Sequence, residues 1–176
     1  MNRSLLSVAA ACALLLSACS GDGEEAEAKE AIAVHLMDQQ EDAQMLALEQ
    51  DEADCIADGM VDGIGVDQLK EYGFLNEDGS VNKESETPEM SQGDAEVMVD
   101  SMFDCTDVMA TMKEEMSSTL GQQPAETQKC FEDALTEDVV RGVLVATFTG
   151  EEQKAQQELM EPFGACMTGM EQPDNG

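Results

Sequence analysis

The chain has 176 residues, of which 39 are acidic and eight basic, for a formal charge of −31, and aromatic residues make up only 3%. Such a surface repels nucleic acid and anionic headgroups, which excludes nucleic-acid binding. The acids all follow residue 21 and are spread along the expected helices, a pattern that belongs to solvated helix faces and marks no particular site.

Residues 1–18 read as a lipoprotein signal peptide. Arg3 precedes an apolar run from Leu5 to Leu16, which ends in Leu16-Ser17-Ala18-Cys19, the lipobox pattern of a bacterial lipoprotein. The run is too short to cross a bilayer core. Cleavage leaves Cys19 as the first mature residue, the expected site of diacylglycerol and palmitate attachment, and so of a membrane anchor. The expected address is the extracytoplasmic side of the cell envelope. That means the outer face of a plasma membrane or, in a two-membrane host, the outer membrane, because Ser20 stands where an inner-membrane retention Asp would be. Losing residues 1–18 also removes Arg3, so 39 acids then face seven bases, a formal charge of −32.

Residues 19–29 are small and acidic without apolar periodicity, and read as a lipidated tether. A helical domain is expected over 30–170. Ile32, Leu36, Ala43 and Leu46 line one face of a first helix from Glu30 to about Leu48, which also carries His35, the only histidine. Further helices are expected over Glu52–Gly63 and Val66–Tyr72, the second stopped by Gly73. Phe74–Glu89 reads as a loop. Its Asn76–Asn82 portion alternates oxygen side chains, but aligning Gly79 with the turn of a calcium loop puts Phe74 and Ser85 where carboxylates belong. No metal ligand set is therefore assigned.

Ser91 and Asp94 resemble a capping box that opens the longest expected helix, to about Ser118. Met98, Met102, Cys105, Met109, Met112 and Met116 form one seam along it, spaced four, three, four, three and four residues apart. Methionines at helical spacing fill cores, so burial is expected for Met98, Met102, Met109 and Met112, in preference to a Cu(I) site. Gly121 and Pro124 break the chain. Helices then follow over Ala125–Leu135, over Glu137–Phe148 with Thr136 as its cap, and over Glu151–Met170 with a kink at Pro162. Residues 171–176 read as a disordered tail. With strand-like alternation missing, the fold class is all-α, a bundle of six to seven helices.

Four cysteines remain after Cys12 is discarded and Cys19 lipidated: Cys55, Cys105, Cys130 and Cys166. In an oxidising compartment they imply two disulfides, with three connectivities open. The last helix repeats the seam of the long one, with Leu159, Phe163, Cys166 and Met170 spaced four, three and four. Upstream, Cys55, Met60 and Leu69 align without gaps to Cys130, Leu135 and Leu144. Two pseudo-repeats, about 50–118 and 125–170, account for both alignments. They favour Cys55 with Cys105 and Cys130 with Cys166, one staple in each.

The run Ala53-Asp54-Cys55-Ile56-Ala57-Asp58-Gly59-Met60-Val61-Asp62, with Gly65-Val66-Asp67-Gln68-Leu69 after it and Lys129-Cys130-Phe131-Glu132-Asp133-Ala134-Leu135 later, resembles small acidic secreted proteins and lipoproteins of actinobacteria. The resemblance implies a helical, disulfide-bonded fold and carries no active site.

No catalytic residue is assigned: His35 has no Ser or Cys partner motif, and Gly59, Gly63 and Gly65 lack the Lys-Ser or Lys-Thr of a phosphate loop. No cofactor is expected. The functional expectation is a non-enzymatic, lipid-anchored envelope module that serves interaction or structure, with an envelope protein as its partner. Ca or Cu binding is the alternative.

Overall fold

In the computed structural model, which describes residues 21–39, 48–83 and 89–168, the chain is all-α. Eight helices follow in order among the described residues: α1 (Gly21–Gln39), α2 (Gln50–Ile64), α3 (Val66–Glu71), α4 (Gln92–Cys105), α5 (Val108–Leu120), α6 (Ala125–Ala134), α7 (Glu137–Phe148) and α8 (Glu152–Thr168). The expected signal peptide over 1–18, the expected lipidation site Cys19, Ala43, Leu46, Met170 and the tail expected over 171–176 lie outside the described residues.

Both disulfides take the expected pairing, Cys55–Cys105 between α2 and α4 and Cys130–Cys166 between α6 and α8, each with 5.7 Å between Cα atoms. The first bond sets an antiparallel register in which residues four apart on α2 meet residues four apart on α4. One turn on, Gly59 lies against Ser101; a Cβ at Gly59 would stand 2.8 Å from the Ser101 Cβ. A further turn on, Gly63 lies against Val97. Glycine at both positions lets the two helices approach closely, which is its use on α2 despite its cost in helix propensity.

The tether expectation for 21–29 is overturned. Those residues form the first half of α1, and Ala28 and Ile32 are completely buried against the core. Alanines at 26, 28, 31 and 33 favour helix, and tertiary packing supplies the stability that an acidic segment lacks alone. Lys29 bridges to Asp58 (3.1 Å) and Asp62 (2.8 Å) on α2, and Lys70 pairs with Glu24.

Most stop signals act as the residue types require. Gly73 adopts φ 71°, with its N–H bonded to the Lys70 carbonyl and the Phe74 N–H to the Leu69 carbonyl, and Gly150 closes α7 in the same way at φ 72°. Thr136 caps α7 by accepting from the Val139 N–H at 3.4 Å. The Ser91 cap forms too, its Oγ accepting from the Asp94 N–H at 3.3 Å. Its return bond is diverted: the Ser91 N–H donates to the Tyr72 hydroxyl (3.0 Å), which donates to Asp94 Oδ2 (2.5 Å). Tyr72 thus fastens α3 to the start of α4. Tyr72→Phe is expected to cost about 1 kcal/mol, because it removes a part-buried charge-assisted bond to Asp94, while the exposed Ser91 N–H can turn to water. Urea titration of the variant measures this.

The single helix expected from Ser91 to Ser118 is two. It breaks at Thr106, where Asp107 turns its carboxylate back to accept from the Ala110 N–H at 2.8 Å and so starts α5. An aspartate's preference for capping outweighs the continuous seam around it. The break redistributes the methionines, and their expected burial fails in part. Met98 is buried in the core of α1–α4, whereas Met102, Met109 and Met116 only partly bury against a smaller cluster around Val108, Leu135 and Val140. Met112 is exposed. Leu159 on α8 is exposed as well, although it shares a helical face with the buried Ala155 and Cys166. The break between the first two helices of each half also falls at different points, after Ile64 but after Ala134, because Thr136 starts a helix where the aligned Val61 continues one.

Candidate functional site

Arg141 is the only arginine besides Arg3. It projects from α7 between two shallow grooves. Its Nε donates to Glu137 Oε1 at 2.7 Å, its Nη1 to Asp100 Oδ1 on α4 at 2.6 Å, and its guanidinium carbon lies 4.0 Å from the centre of the Phe103 ring. Glu137, with Asp100, holds the guanidinium even more firmly protonated than an ordinary arginine. A planar, permanently charged fork that also stacks on a ring suits this position, and lysine could not replace it. Sequence reasoning missed the residue. Its spacing from Glu137 was visible, but Asp100 and Phe103 come from a helix some 40 residues earlier in the chain.

One groove, of about 430 Å³, lies between α4, α7 and α8 over a floor of Val99 and Val145. Glu158 rests against its wall at Gly142, where a Cβ would stand 2.6 Å from the carboxylate, so glycine makes room for that side chain. The other groove, of about 600 Å³, sits at the α4–α5 break, with Glu52, Asp104 and Asp107 around Phe103 and Val108. Both carry more carboxylates than cations and suit positively charged groups. Much of that acid is already engaged: Asp107 in its cap, Glu137 with Arg141, and Glu52 in a capping box at the start of α2, where it accepts from the Glu49 N–H at 2.8 Å.

Among the described residues no three His, Cys, Asp or Glu side chains converge as a metal set would. In the Asn76–Asn82 turn the oxygens serve the turn itself, Asp78 Oδ1 accepting from the Ser80 N–H (3.1 Å) and hydroxyl (2.6 Å) and the Asn76 N–H donating to the Ser80 carbonyl (2.8 Å). An isolated bridge between Leu75 and Val81 closes it. These hydrogen bonds hold the Asp78 carboxyl below the usual carboxylate range.

His35 sits on α1, and neither groove includes it. Partial burial, helped by nearby Lys83, lowers its affinity for a proton below the ordinary value of 6.5. The folded state thus binds that proton less readily than the unfolded one, so this group leaves stability untouched well above the unfolded value and subtracts from it as pH falls through that range. The imidazole resonance is expected to titrate below 6.5. Acidification from neutrality should cost the native chain more stability than His35→Gln, as paired urea titrations would register.

Comparison with protein-family models, with curated proteins and with solved structures returns no match.

Proposed function

We propose that this protein is a lipid-anchored, non-catalytic module of the cell envelope that serves as a structural or interaction element on the extracytoplasmic side. The observation that carries the reading is the lipobox Leu16-Ser17-Ala18-Cys19 behind a basic, apolar leader. Two disulfides in a small helical body agree with an oxidising compartment. No helix among the described residues is long and apolar enough to cross a membrane, so the anchoring in this reading falls to the lipid. The partner envisaged is another envelope component, one that tolerates or exploits the acidic surface.

Cys19→Ala is expected to move the protein from the membrane fraction to the soluble one and to abolish incorporation of labelled palmitate. Membrane association that survives the substitution would refute the anchor. Divalent calcium or Cu(I) binding is the second reading, carried only by the acidic and methionine-rich composition. A thermal melt with each metal and with EDTA tests it, because a ligand that binds the native state raises its stability by mass action.

A further inference from the structure

The start of α1 is fixed to the body within its first turn, and this determines which end of the bundle an anchor at Cys19 can bring to a membrane. We propose that the end of the bundle formed by the start of α1, α3, the start of α4 and the end of α7 rests directly on a zwitterionic lipid surface, with the Cys105 end pointing away from it. The proposal rests on lipidation of Cys19.

Cys19 is two residues from Gly21, so its Cα lies within about 8 Å of the first Cα of α1. The helix cannot swing away to lengthen that leash. Glu24 is paired with Lys70 of α3, Lys29 bridges two aspartates of α2, and Ala28 and Ile32 are completely buried. A flexible linker of ordinary length would leave the body free to tumble above the bilayer; here the fold begins where the lipid ends.

The contacts between elements show what else lies at that end. Lys29 pairs with the C-terminal half of α2 and Glu24 with α3, so α1 runs antiparallel to α2. The Cys55–Cys105 bond and the Gly59–Ser101 and Gly63–Val97 contacts run α4 antiparallel to α2 as well, which returns its start to the α3 end. There Tyr72 bonds to Ser91 and Asp94, and the Met90 N–H donates to the Phe148 carbonyl at the close of α7 (2.7 Å). The far end holds the first turn of α2, Cys105 and the start of α7, and Asp51 is about 20 Å along α2 from Ile64. The groove at the α4–α5 break accordingly faces away from the lipid, where a partner could reach it. The near end exposes Asp67, Glu71 and Glu151, which disfavours anionic headgroups and favours zwitterionic ones.

Carboxyl footprinting reads this orientation without altering the fold. The lipidated full-length protein, floated on phosphatidylcholine vesicles, is labelled with carbodiimide and glycine ethyl ester and compared with the Cys19→Ala protein in solution. Asp67 and Glu71 should be protected several-fold on the vesicles, while Asp51 and Asp104 label alike in both states. Uniform labelling, or protection at Asp51 and Asp104, in protein that still floats would overturn the orientation and leave the anchor standing. Protein that does not float, or whose Cys19 peptide lacks the lipid mass, would overturn the anchor and this proposal with it.

Discussion

Replacing Cys55 and Cys105 with serine is expected to lower the unfolding free energy by about 4 kcal/mol, from the chain entropy of a loop closed over some 50 residues. A domain of this size has about 5–15 kcal/mol in total, so the variant should be near its threshold at physiological temperature. The bond at Cys130–Cys166 closes a loop of 36 residues and has nearly the same entropic weight. Its loss should look different, because among the described residues the cluster beside it has only Val108, Leu135 and Val140 as buried members, and α6 buries no residue of its own. Without that bond, α6 and α8 should exchange their amide hydrogens quickly while α1, α2 and α4 stay protected. Hydrogen exchange on the two double variants distinguishes global from local loss. Equal loss across the whole chain in both would show that the two clusters unfold as one unit.

Gly59→Ala is expected to destabilise the fold by about 1–3 kcal/mol, although alanine is the better helix former by about 1 kcal/mol. The added methyl would fall 2.8 Å from the Ser101 Cβ and closer still to its hydroxyl, and Ser101 cannot retreat easily because it is buried and its hydroxyl donates to the Val97 carbonyl at 2.8 Å. Overpacking therefore outweighs propensity. Ser101→Gly in the same chain should recover most of the loss by returning the space, and the cycle of single and double variants isolates this contact. A Gly59→Ala protein at least as stable as the parent would mean that α2 and α4 can separate at no cost despite the disulfide beside them.

Helix positions were legible along much of the chain because their signals are local. Gly73, Thr136, Ser91 and Gly150 act through their own backbone neighbours, and each ends or begins a helix where its residue type says it should. The all-α class followed from the same periodicities. The disulfide pairing was legible for another reason: the cysteines recur in register with the apolar seam, and rare residues in register carry positional information that the seam alone does not.

The candidate site was far less legible. Arg141 draws its partners from α4 as well as α7, and nothing in a sequence links Asp100 to Arg141 until the helices are packed. The break at Thr106 was hidden because a seam of apolar residues and a capping aspartate make opposite demands on the same backbone. Local hydrogen bonding prevailed at Asp107, and Met112 was left exposed as a result.

By itself the sequence determined the helical class, most helix ends, the acid excess and the cysteine register, all of which depend on residue type and short spacing. Tertiary structure decided that residues 21–29 belong to the body, that Gly59 and Gly63 are packing surfaces, and that Tyr72 ties α3 to α4. Each of these is a contact between segments far apart in the chain. An acidic, small-residue stretch such as 21–29 has no intrinsic tendency strong enough to declare itself, and it becomes a helix because α2 and α3 offer Ala28 and Ile32 a place to be buried and Glu24 and Lys29 partners of opposite charge.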